Sequence, residues 1–300
     1  MTKPAPRENV TDEFIMDANA FLEALSARSD RWKDGPWIFR GQSNPEWTLR
    51  ASGARDQANP SAPFAPFGIS GWKSLYDSND STPPTALWSL RHNWVVRMLK
   101  DFQRELNRQG LTVPQEMPPV LETGVFRSSA FPDERAFPLM ALAQHHCLPT
   151  LFLDWTTRAW VAAHFAALDS ARAAPPTEWL SVWCFLRDER DLSSAPKFYE
   201  PPASTNPNLR AQSGLFTWFP SEQDVSLEEH IVWLNAQSHI KPKYAALRRL
   251  MLPATEAPRL LRLLALEGIT GASMFPGPDG VVRAMRERTL WDTAKVRGTK

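Results

Sequence analysis

The chain has 300 residues, 43% of them apolar and 22% charged, with a formal net charge of +1. That length allows one large domain or two small ones, with apolar surface enough for a sizeable core. The near-neutral balance gives no general pull toward nucleic acid or an anionic membrane; a local basic patch stays open, so nucleic acid is not excluded as a partner.

Cys147 and Cys184 are the only cysteines and form neither a metal-site spacing nor a disulfide framework, which suits a reducing cytoplasm. The opening MTKPAPRENV has no apolar core of a signal peptide, and no run reaches the roughly 18 apolar residues of a membrane helix. The expected location is therefore cytoplasmic, with no membrane partner. Proline (27 residues) outnumbers glycine (13), and it clusters in 60–84, 113–119, 175–176 and 196–207 as irregular connections. No internal period points to a repeat architecture.

Thr11 reads as an N-cap with Asp12 and Glu13 in a first turn, followed by Phe14, Ala18, Phe21, Leu22 and Leu25 at helical spacing. Asp34-Gly35-Pro36 breaks that helix, and Trp37-Ile38-Phe39 enters a short strand. Arg40-Gly41-Gln42 follows at once, with Gly41 allowing close approach of a ligand to the backbone. On this triplet alone, capping of the strand or pairing with a carboxylate is the readier explanation of Arg40. Residues 51–84 read as a loop-rich insertion or lid. The spacing of Leu87, Leu90, Trp94, Met98, Phe102 and Leu106 predicts a helix over 85–106.

Glu134 to Gln144 reads as a helix with Pro138 in its first turn. His145 and His146 follow its end, where the helix dipole favours a charged imidazole. No further ligands at a fitting spacing support a metal there. Leu151-Phe152-Leu153 is a buried strand, and Asp154, Thr156 and Thr157 lie where the chain turns into a helix bearing Val161, Ala162, Phe165 and Leu168. Capping accounts for one of those polar residues but not for Trp155 or for the preceding His-His-Cys-Leu-Pro-Thr turn.

Trp179 to Leu186 reads as a strand, as do the segment from Arg210 and Gln212 into Phe216 and the segment 244–252. Arg210 and Gln212 share a face if that strand begins early. Between them lies a charged, less regular stretch with Glu228, Glu229 and His230. Thr255 caps a helix carrying Leu260, Leu261 and Leu264, which Gly268 ends. Residues 269–275 are extended, 276–280 turn, and a short helix over 281–288 leads to a basic tail. The fold class expected is α+β: a single compact domain over 11–290, with a mixed or antiparallel sheet flanked by helices. A disordered 1–10 precedes it and a tail over 291–300 follows.

No Walker loop, Rossmann glycine fingerprint, His-Glu-x-x-His or Gly-x-Ser-x-Gly is present. What remains are polar residues at strand ends: Arg40, Gln42, His145, Thr150, Asp154, Thr156, Arg210, Gln212 and Asp279. Arginine, threonine hydroxyls and helix-terminal N–H groups suit a phosphate or pyrophosphate. A structural hydrogen-bond network uses the same residue types.

Phe39-Arg40-Gly41-Gln42-Ser43-Asn44, with Trp47 after it, resembles the opening motif of the FRG domain. The stretch QHHCLPTLFLDWTT from Gln144 resembles that family's central block, with Cys147 where Gly is usual and Leu151 where Arg is usual. Asn206 to Phe216 and Gly268 to Gly280 resemble its later elements. The Cys147 departure implies a turn that does not require positive φ. The family is common in bacteria and associated with phage-defence contexts, so the resemblance implies a protein partner in such a system. A more distant similarity, to ADP-ribosyltransferases of the Arg-Ser-Glu type, implies NAD as the cofactor to consider. It makes Arg40, Asp154 and Thr156 the catalytic candidates, and Gly41, Gln42, His145, Thr150, Trp155, Arg210 and Gln212 the ligand-binding ones. Gly214 stands in place of the glutamate that stabilises the oxocarbenium-like centre in those enzymes. Two expectations follow: binding of a nucleotide or phosphate ligand, with or without NAD turnover, or a non-catalytic interaction module whose polar network is structural.

Overall fold

The computed structural model describes residues 2–55, 84–114, 134–174, 176–188, 195–202, 207–219, 225–237 and 247–297. Most of the loop-rich 51–84 stretch, most of the 111–133 connection and the start of the 244–252 strand lie outside the described residues.

Residues 10–14 form a strand, β1 (Val10–Phe14), in place of the expected helix start. Thr11-Asp12-Glu13 has the composition of a helix entry, but Asp12 instead binds Arg249 in a fork–fork pair, Nε to Oδ1 at 2.8 Å and Nη2 to Oδ2 at 2.7 Å. The helix α1 (Ala18–Ala24) begins later, with Asp17 as its N-cap accepting from the N–H groups of Asn19 and Ala20. The residues before β1, expected to be disordered, make defined bonds: Thr2 N–H donates to Glu178 (2.6 Å) and Trp179 Nε1 donates to the Thr2 carbonyl (2.9 Å).

The remaining strands are β2 (Trp37–Gln42), β3 (Leu153–Thr156), β4 (Trp179–Leu186), β5 (Lys197–Tyr199), β6 (Gly214–Trp218) and β7 (Leu247–Pro253). They form one sheet in the order β1-β7-β4-β2-β3-β6-β5, with β1 and β5 at its edges. Only β1 and β7 run parallel; the other neighbours are antiparallel. The chain is thus an α+β domain on a mixed sheet. β4 spans the residues that its run of large apolar side chains predicts, and it is buried along nearly its whole length.

The helices are α2 (Pro84–Arg108), α3 (Phe137–His145), α4 (Ala159–Arg172), α5 (Pro207–Gln212), α6 (Leu227–Ala236), α7 (Ala257–Leu266), α8 (Gly271–Met274) and α9 (Pro278–Arg297). Pro138 sits in the first turn of α3, where its missing N–H costs no helical bond. Five readings are corrected. Arg210 and Gln212 lie on α5, not on a strand. The charged stretch after 225 is α6, opened by a capping box of Ser226 and Glu229. Residues 271–274 are helical, and α9 runs through the segment expected as a tail. Thr255 lies in a 3-10 turn and does not cap α7, whose N-cap is Glu256 with no side-chain bond. Gly268, at φ +74°, follows the end of α7 as expected.

One core joins α1, α4 and α7 to Trp37, Phe39, Val182 and Leu250 on one sheet face. The alanines of α4 let it lie almost on the strand: a Cβ on Gly41 would stand 2.0 Å from the Ala162 carbonyl oxygen. A second core places Ile38, Trp183, Phe185 and Leu215 under α6, and a third packs α2 and α3 on Phe152 and Phe216. On the α6 face a polar row crosses the sheet. Asp12, Arg249, Trp183 and Arg40 are successive cross-strand partners on β1, β7, β4 and β2. Arg249 is fully buried, and the Cζ atoms of Arg249 and Arg7 lie 5.2 and 5.3 Å from the Trp183 ring centre. Arg40 ends that row.

Candidate functional site

Along β2 the side chains alternate: Trp37 and Phe39 enter the α4 core, while Ile38 and Arg40 turn to the other face. At this end of β2 and β3, Arg40 Nη1 donates to the Asp154 carbonyl (2.9 Å) and lies 3.4 Å from its Oδ2. The Arg40 Nε is buried without an acceptor, while the Asp154 carboxylate is exposed. Asp154 is a strand residue here and does not cap α4.

The block between α3 and β3 holds Asp154 from its other side. Gln144 Nε2 donates to Asp154 Oδ1 at 2.5 Å, and Gln144 Oε1 accepts from the Thr150 hydroxyl. Thr150, fully buried, in turn accepts the Phe152 N–H (3.1 Å). Its backbone anchors the segment after Trp47: Thr150 N–H donates to Ser52 Oγ (3.2 Å), and Gly53 N–H donates to the Thr150 carbonyl (2.8 Å). A Cβ on Gly53 would stand 2.7 Å from that same carbonyl, so only glycine permits the approach. This contact brings Arg55 over the site, where its Nε donates to the Arg50 carbonyl (3.2 Å).

The outcome is a cavity of about 240 Å³ lined by Arg40, Ser52, Arg55, Gln144, Cys147 and Asp154, among others. Burial lowers the Arg55 pKa, the neighbouring Arg40 lowers it further, and Asp154 opposes both. Two guanidinium groups therefore face one carboxylate.

The turn after α3 departs from expectation. Leu148 N–H donates to the Ala143 carbonyl (2.9 Å) and Cys147 N–H to that of Gln144 (3.0 Å), a Schellman ending with Cys147 at φ +62°. The position keeps the left-handed backbone that glycine adopts freely, although glycine is absent. His145 does not line the cavity. Its pKa is lowered, by burial first and then by the adjacent His146, so these outweigh the helix-dipole effect.

Other expected site residues serve the framework. Gly41 admits α4, and buried Gln42 accepts from Trp183 Nε1 (2.8 Å). Trp155, also buried, donates to Thr217 Oγ1 (2.8 Å). At the far end of β3, the Thr156 hydroxyl donates to the Gln212 carbonyl (2.6 Å) and accepts the Arg158 N–H (3.0 Å), while Gln212 Nε2 donates to the Met274 carbonyl (3.2 Å). Arg210 is exposed, two residues from Gln212 and so on a different side of α5. Arg40 and Asp154 are brought together; Thr156 and Gln212 form a separate structural knot. Ser52 and Arg55 were missed, since a segment without periodicity carries no signal of where it folds back. Among the described residues, no group of three or more His, Cys, Asp or Glu could hold a metal ion, and no helix is long and apolar enough to cross a membrane.

The FRG domain family model matches residues 35–174, the span that holds β2, β3, Arg40, Gln144 and Asp154, and the chain carries an FRG domain there. No curated protein and no solved structure matches the chain.

Proposed function

We propose that the cavity between Arg40 and Arg55 binds the phosphate or pyrophosphate of a nucleotide-type ligand, NAD-like ligands included. The excess of one positive charge carries this reading, together with the unaccepted N–H at Arg40 Nε. An anion relieves the mutual repulsion of the two guanidinium groups and supplies the missing acceptor. A volume of about 240 Å³ suits a phosphate group better than a whole dinucleotide, leaving the rest of the ligand outside.

Binding is favoured over turnover. Gly214 stands where the transferases carry their glutamate, and a Cβ there would already lie 2.7 Å from Leu209 Cδ2. Asp154 is the acid at hand, but Arg40 and Gln144 occupy it. The FRG resemblance, with its bacterial and phage-defence associations, supports a ligand-sensing element of a defence system.

The test is melting and calorimetric titration with pyrophosphate, ADP-ribose and NAD. Saturable binding is expected to stabilise the fold by about 2.7 kcal/mol at 100-fold excess over Kd. Arg40→Ala should abolish it, and Arg55→Ala should weaken it about tenfold, in line with the loss of one charge-assisted bond. No titratable shift, or a shift unchanged in Arg40→Ala, overturns the reading. Release of nicotinamide from NAD that Arg40→Ala abolishes would make the protein an enzyme.

A further inference from the structure

At the opposite end of β2 and β3 lies a larger cavity, about 690 Å³, whose walls come from α1's exit, β2 and the start of α4. Its walls include Trp32, Trp37, Phe39 and Trp160. Trp32 stands edge-on to Trp37 and to Phe39, at centroid distances of 5.4 and 5.1 Å. Arg248 covers the Trp37 ring at 4.6 Å, and Trp160 Nε1 donates to the Leu22 carbonyl (3.1 Å), so these rings are held in place. A rigid aromatic wall of this size is what planar ligands stack on.

Two features give the wall a polar preference. Trp32 Nε1 and Trp37 Nε1 are buried with no acceptor, although Trp37 is only 7% exposed. Unpaired indole N–H groups beside a cavity favour an occupant with acceptors, and a heteroaromatic ring offers nitrogen or carbonyl acceptors that a hydrocarbon lacks. Thr157, Arg158, Ala159 and Trp160, the opening of the fourteen-residue α4, also line the cavity. That helix starts without a side-chain bond from its N-cap; the Val161 and Ala162 N–H groups turn back to the Arg158 carbonyl and Thr156 Oγ1 accepts the Arg158 N–H, which leaves the Ala159 and Trp160 N–H groups and the dipole for an anion. Arg28 and Arg158 against Glu267 leave the rim one charge positive.

We propose that this cavity is a second ligand site, for a planar heteroaromatic ring carrying a phosphate or carboxylate. The ring stacks among the tryptophans, and the anion lies at the start of α4 beside Arg158. This site stands independently of the one at Arg40: Trp37 and Phe39 face the α4 side of the sheet, whereas Arg40 turns to the other face.

Quenching of tryptophan fluorescence by adenosine 5′-monophosphate and by indole-3-acetate tests it, and the two arms separate a nucleotide from an aromatic acid. Adenosine and ribose 5-phosphate serve as the ring-only and anion-only controls. Saturable quenching by at least one full probe is expected, at least tenfold tighter than by either control. Arg158→Gln, a surface change, should weaken it about tenfold, and Trp32→Leu should abolish it. If Trp32→Leu fails to fold, Arg158→Gln decides. Quenching by neither probe overturns the proposal, as does quenching indifferent to Arg158→Gln.

Discussion

Cys147 shows how one position can keep a conformation after losing the residue that suits it. Holding an L-residue in the left-handed region costs about 1–2 kcal/mol, and the Schellman bonds around Cys147 impose that region at φ +62°. Glycine recovers this cost but gives back part of it through the freedom it adds to the unfolded chain. Cys147→Gly is therefore expected to stabilise the protein by about 0.5–1 kcal/mol, read as a higher urea midpoint with an unchanged slope. A lower midpoint would mean that the exposed thiol makes contacts worth more than the backbone strain. Arg40 and Asp154 were legible in the sequence because strand ends and a recognisable motif mark them. Arg55 was not, because nothing local encodes the contact of Gly53 with Thr150 that carries it there. Gln42 and Trp155 were misplaced for a related reason: polar atoms that satisfy one another across a sheet look, in one dimension, like atoms awaiting a ligand.

Among the elements, β1 and α6 show where local pattern and tertiary demand part. The five residues of β1 contain an N-cap signature, yet they pair with β7 because Arg249 requires a carboxylate at Asp12. Removing one partner of a buried pair costs about 3–5 kcal/mol, since the other charge is left stranded. Asp12→Ala should therefore cost about that much by chemical denaturation, and a loss below about 1 kcal/mol would show that the Pro45 and Ala5 carbonyls suffice for Arg249. For α6 the signal was present: Ser226 and Glu229 have the capping-box spacing, and Leu227, Ile231 and Leu234 supply the buried face. The surrounding charge hid it. The strand β4 was legible because its apolar run is long, and a fully covered strand needs no alternation.

Across the whole molecule, the FRG segment is fastened to the C-terminal helix by a buried pair. His164 Nε2 of α4 lies 3.3 Å from Glu287 Oε2 of α9, off the line of a well-formed hydrogen bond, and the Gly271 N–H donates to the same oxygen at 2.9 Å. Burial pushes the Glu287 pKa up, but His164 first, then Gly271 and Arg172, more than reverse this, and the net shift is downward from 4.5. A carboxylate whose folded pKa is depressed stabilises the fold above its unfolded value, and that contribution is lost as pH falls through the folded pKa. Stability should accordingly fall as pH drops below about 4.5, and Glu287→Gln should flatten that part of the profile while lowering stability at pH 7. Parallel profiles for the two proteins would rule the pair out as the acid-sensitive fastening.

The sheet order also has a consequence in time. β1 lies at an edge and, among the described strands, pairs with β7 alone, which inserts between β1 and β4. During synthesis β1 thus has no strand of this sheet to pair with until the chain has passed residue 253. Until then Asp12 has no Arg249, and the Trp183 indole lacks one of its two arginine neighbours. The segment 35–174 can pair β2 with β3, but the sheet closes from the other end of the chain.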